Sequence, residues 1–91
     1  MKKTVIIVDD HHLFRESIIR ILALDGTYEV VAEGSNGKEA IQLVEMYKPD
    51  LLLLDINMPG KNGVEATEEI SQLSPDTKIL VLSIHDDESY V

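Results

Sequence analysis

The chain reads as an α/β fold, a doubly wound parallel sheet with strand order 2-1-3-4. Three observations lead there. Four short apolar blocks recur along the 91 residues, and three of them are continuous runs rather than alternations, as expected of strands covered on both faces. Segments of helical period lie between the blocks. The strict alternation of the two patterns implies parallel strands joined by right-handed crossovers.

The first block is Val5-Ile6-Ile7-Val8. Phe14, Ile18, Ile21 and Leu22 follow at i, i+4, i+7 and i+8, a helical stripe that Gly26 closes. Tyr28-Glu29-Val30-Val31-Ala32 is the second block. Ala40, Leu43, Val44 and Tyr47 then share one helical face, with Ser35 or Asn36 as the cap and Pro49 as the stop. Leu51-Leu52-Leu53-Leu54 could be helical by composition, but Pro49-Asp50 before it and Asp55 after it favour a strand. Val64, Thr67, Ile70 and Leu73 give a weaker stripe ended by Ser74-Pro75, and Ile79-Leu80-Val81-Leu82 is the fourth block. Asp86-Asp87-Glu88 reads as the start of a fourth helix.

Composition narrows the function. Eight Lys+Arg against 17 Asp+Glu leave a net charge of -9, which disfavours a grip on nucleic acid or on an anionic membrane. A hydrophobic share of 44% is enough for a core in one domain, residues 1–91. With no cysteine there is no disulfide, thiol nucleophile or cysteine-bound zinc. The apolar run after Lys2-Lys3 ends at Asp9, too short for a signal peptide, and no run approaches the roughly 20 residues of a membrane span. A cytoplasmic location is expected.

Asp9 and Asp10 follow the first block, and Asp55 ends the third. Taken as a pair alone, Asp10 reads more readily as a helix cap and Asp9 as a solvated loop residue. In a 2-1-3-4 sheet, however, the switch point lies between strands 1 and 3, and all three acids meet there. Three close carboxylates repel unless a proton or cation intervenes, and magnesium is the simplest cation. Asp9, Asp10 and a backbone carbonyl from the loop after Asp55 suit it as ligands, leaving Asp55 as a nucleophile towards phosphorus.

Three motifs stand together in order: Val8-Asp9-Asp10-His11-His12, Leu54-Asp55-Ile56-Asn57-Met58-Pro59-Gly60 and Val81-Leu82-Ser83. In this the chain resembles, over its whole length, the receiver domain of two-component response regulators, a flavodoxin-like fold. The Asp-Asp-His-His-Leu-Phe-Arg opening and the Ser-Ile-His-Asp-Asp-Glu stretch are similar to the subfamily that joins a receiver to a C-terminal helix-turn-helix DNA-binding domain. The resemblance implies that Asp55 is the phosphoacceptor and that a sensor histidine kinase supplies the phosphoryl group. It implies that Asp9, Asp10, Asp55 and the backbone carbonyl of Asn57 hold Mg, and that Ser83 turns its hydroxyl to the phosphoryl group. His85 is expected at the rim, where it influences access of water, and Ile84 narrows the approach of a donor. The chain would be a phosphoacceptor that assists its own phosphorylation and dephosphorylation rather than an enzyme.

Similar receivers continue through a fifth strand, which carries a lysine that pairs with the phosphoryl group, and a last helix. Neither Lys61 nor Lys78 can take that role, so the domain is expected to be incomplete at its C-terminus and to reach DNA only through a further domain. The alternative is a fragment that folds and self-associates, or exchanges elements, through the strand-4 edge without efficient phosphorylation. Three other functions fit less well. A zinc site built on His11, His12 and His85 suffers from the divergence of adjacent side chains on a helix. A phosphatase with an aspartate nucleophile wants a second acid where Asn57 stands. A nucleotide site wants a Gly-rich loop after the first strand, which is missing.

Overall fold

The computed structural model describes residues 2–55 and 63–82. Its elements are β1 (Lys3–Val8), α1 (His12–Asp25), β2 (Tyr28–Gly34), α2 (Gly37–Tyr47), β3 (Leu51–Asp55), α3 (Gly63–Leu73) and β4 (Lys78–Leu82). All strand pairs are parallel, in the order β2-β1-β3-β4. The expected fold class and strand order are both present.

The continuous apolar runs are explained by a core on each face of the sheet. Ile6 and Val8 of β1 and Leu52 and Leu54 of β3 point to one face, against Ala40 and Val44 of α2 and Ala66 and Ile70 of α3. Val5, Ile7 and Leu53 point to the other, against Ile18, Ile19 and Leu22 of α1. Each large aliphatic side chain buried in this way contributes about 1.5–3 kcal/mol. The helical stripes differ in detail from expectation. Ile19 rather than Ile21 packs on the sheet, and Ile21 is exposed. Leu73 and Tyr47 are exposed too, while Ala66 lies on the buried face of α3. Alanine adds little to a periodic pattern but suits a closely packed position.

Register fixes what emerges at the carboxyl end. Val8 lies beside Leu54, so the next residues, Asp9 and Asp55, come together, and Asp55 lies beside Leu82. A slip of one residue would turn every side chain to the opposite face. The other end of the sheet is pinned against such a slip. Thr4 N–H donates to Asp50 Oδ2 at 2.7 Å, and Lys78 N–H donates to the Asp50 carbonyl at 2.9 Å. The buried Thr77 hydroxyl donates to the Pro49 carbonyl at 2.7 Å and lies 2.7 Å from the Ser74 hydroxyl. The pairing of β1 with β2 shifts between Val5 and Ile6, which brings Gly34 beside Val8. A Cβ on Gly34 would meet Leu43 Cδ1 at 3.2 Å and Glu39 Cβ at 3.3 Å, so glycine permits this approach of β2 to α2. On β4, Leu80 and Val81 are 52% and 43% exposed.

Candidate functional site: an acidic pocket at the switch point

The end of β1 and the end of β3 deliver Asp9 and Asp55 to the same place, each 1% exposed. Asp10 and His11, both more open, complete the group. One donor atom from each of Asp9, Asp10, His11 and Asp55 lies within 4.8 Å of all the others. The convergence expected of the three acids is therefore present. Asn57, Ser83, Ile84 and His85 lie outside the described residues, as does the loop after Asp55.

His11 belongs to this pocket in a way its sequence position did not announce. Its Nδ1 is 2.9 Å from Asp9 Oδ1, 3.1 Å from Asp10 Oδ1 and 3.9 Å from Asp55 Oδ2. Its backbone N–H donates to the same Asp9 oxygen at 2.7 Å, so Asp9, not Asp10, organises the turn into α1. The N-cap of α1 is His11, and its side chain makes no capping bond. The hydrogen bond to Asp9 and the charges of Asp10 and Asp9 raise the imidazole pKa above its ordinary 6.5, with a smaller push from Asp55. His12 turns elsewhere, with Nε2 3.2 Å from Glu16. The adjacent histidines diverge, as expected.

Arg15, one turn into α1, braces the pocket from behind. Its Nη1 donates to the carbonyls of Asp9 and Gly34, the latter at 3.4 Å, and its Nε donates to Glu33 Oε1 at 3.1 Å. It thus joins the ends of β1 and β2. In the sequence Arg15 stands out only as part of a motif. Its position one turn after an acidic pair was the available signal for a side chain able to reach back.

The donor set suits a hard divalent ion. It offers three carboxylates, two of them buried, and such a cluster needs positive charge to offset its repulsion. The His11 ring sits where that charge is wanted. Such a cation would lower the cost of gathering charge at the pocket, including that on phosphoryl oxygens.

Comparison with known proteins places this geometry in a family. The family model described as response regulator receiver domain matches residues 5–91. The chain belongs to that family, whose members bind magnesium at an acidic pocket and are generally not enzymes. It is 60% identical over 90 residues to the transcriptional regulatory protein DegU of Brevibacillus brevis, covering 99% of this chain and 38% of that protein. The chain thus spans well under half the length of this curated relative. Among solved structures, the signal receiver domain of the response regulator NarL from Mycobacterium tuberculosis matches with a TM-score of 0.86 and 38% identity, over 99% of this chain and 73% of that one. A response regulator from Burkholderia pseudomallei, solved with a phosphorylated aspartic acid, a calcium ion and citrate, matches with a TM-score of 0.82 and 26% identity, over 97% of this chain and 51% of that one. No helix among the described residues is long and apolar enough to cross a membrane.

Proposed function

We propose that residues 1–91 act as the receiver unit of a cytoplasmic transcriptional response regulator, accepting a phosphoryl group from a sensor histidine kinase on Asp55. The observation that carries this reading is the convergence of Asp9, Asp10 and Asp55, with a donor atom of each inside one 4.8 Å group. The phosphorylated aspartic acid and calcium ion of the Burkholderia relative, and the regulatory role named for DegU, support it.

Asp9, Asp10 and Asp55, with the backbone carbonyl of Asn57, would hold Mg, and Ser83 would bond the phosphoryl group. The ion, when bound, offsets negative charge on the phosphoryl oxygens during transfer. A carboxylate oxygen of Asp55 attacks phosphorus in line as the phosphorus–nitrogen bond of the kinase phosphohistidine breaks. The bonding pair leaves with the imidazole, and the product is an acyl phosphate. Asp9 keeps the β1–α1 turn in place through its bond to the His11 N–H. In the parent protein, the modified state would shift an equilibrium towards a form competent to act on DNA through a further domain.

A second reading, favoured by the exposed Leu80 and Val81 of β4, is a unit that self-associates through that edge without efficient phosphorylation. One experiment divides the two. Incubation with Mg and a small acyl-phosphate donor should add a single phosphoryl mass to the intact chain, and Asp55→Asn should abolish it. An unmodified wild-type chain would favour assembly.

A further inference from the structure

We propose that the imidazole of His11 is itself a ligand of the divalent cation in the acidic pocket, and that it gives the pocket a preference for later first-row ions such as Co2+ over Mg2+. This rests on the cation reading above and adds a nitrogen to its oxygen donors. Donor atoms held at about 2.1 Å around a small octahedral ion lie about 3.0 Å apart along an edge and about 4.2 Å apart across the centre. His11 Nδ1 lies 2.9 Å from Asp9 Oδ1, 3.1 Å from Asp10 Oδ1 and 3.9 Å from Asp55 Oδ2. Those spacings match two edges and nearly one diameter of a single coordination shell.

The ring is not there to fill the core, because its side chain is 60% exposed. The Asp9 carboxylate accepts the His11 backbone N–H and holds the ring close; the ion takes the Nδ1 lone pair in place of the proton that bonds Asp9, and that proton is released to solvent. Neighbouring His12 pairs with Glu16, so position rather than composition brings one histidine and not the other to the acids. Magnesium takes oxygen donors and gains little from an imidazole, whereas the affinity of later divalent ions rises when nitrogen joins the set.

The test is a calorimetric titration of the 91-residue chain with Co2+ and, separately, with Mg2+, for the wild type, His11→Ala, His11→Gln and His12→Ala. His11→Ala and His11→Gln should weaken Co2+ about tenfold or more and Mg2+ far less, while His12→Ala leaves the ratio unchanged. Proton NMR of the Co2+-loaded wild type should show the His11 ring protons shifted far outside the diamagnetic range. Equal Co2+/Mg2+ ratios in wild type and His11→Ala would overturn the ligand role and leave the carboxylate pocket standing. If neither ion binds the wild type, the cation reading itself fails, and this inference with it.

Discussion

Arg15 places a guanidinium on the carbonyls of Asp9 and Gly34, and only 15% of its side chain is exposed. Hydrogen bonds to a charged donor are worth about 1.5–3 kcal/mol when sheltered. Arg15→Ala should therefore cost about 1–2 kcal/mol in urea unfolding and slow the proposed phosphorylation of Asp55, because the Asp9 turn loses its brace. Glu33→Gln removes only an exposed ion pair and should cost under about 1 kcal/mol. An Arg15→Ala variant no less stable than the wild type would show that the brace is unnecessary. The contrast between Asp55 and Arg15 shows what sequence can reveal about single residues. An acid at the end of an apolar run is placed by the strand itself. The targets of Arg15 are main-chain carbonyls, which no side-chain pattern marks, and the partners of His11 depend on how a turn closes.

At the scale of elements, α2 has a more complete start than α1. Asn36 Oδ1 accepts from Glu39 N–H at 2.8 Å, while Glu39 Oε1 accepts from Ser35 N–H at 2.6 Å and from the Ser35 hydroxyl at 2.9 Å. Both candidate capping residues are thus used, in a capping box displaced by one residue. These bonds from Ser35, aided by the charge of Arg15, lower the Glu39 pKa below its ordinary 4.5. A lowered carboxyl pKa stabilises the fold above the ordinary value, and that contribution is lost as pH falls through the lower, folded one. Stability measured from pH 7 to pH 3 should fall less steeply below about pH 4.5 in Glu39→Gln than in the wild type. The other end of α2 is less favourable. Lys48 takes φ 45°, ψ 62° to close the helix, and its N–H donates to the Val44 carbonyl at 2.8 Å. Lys48→Gly should raise the melting temperature, gaining about 0.5–1 kcal/mol, because glycine adopts that conformation without strain. Sequence located α2 well because both its ends carry chemical signals. It placed Ile21 on the buried stripe of α1 and passed over Ile19 because a run of adjacent apolar residues fits more than one stripe, and only the sheet decides between them.

For the whole molecule, β4 matters as one of the two edge strands among the described residues, the other being β2. Leu80 and Val81 give it an apolar, half-open surface of the kind that seeks pairing. If it pairs with a second copy, Val81→Lys should lower the sedimentation coefficient at high concentration without changing the circular dichroism. A wild-type chain that sediments as a monomer throughout would exclude that pairing. The doubly wound architecture was legible because continuous apolar runs need cover on both sides. The spatial neighbour of the edge strand was not legible, because a sheet edge satisfies the same pattern whatever lies beyond it.

The pinning of the strands at Thr4, Asp50 and Lys78 has a mechanical consequence at the far end. Asp9 and Asp55 stand at strand ends whose register is fixed, whereas Asp10 and His11 stand on the turn that leaves β1. The two buried acids are thus spaced by the sheet and the two open groups by the turn.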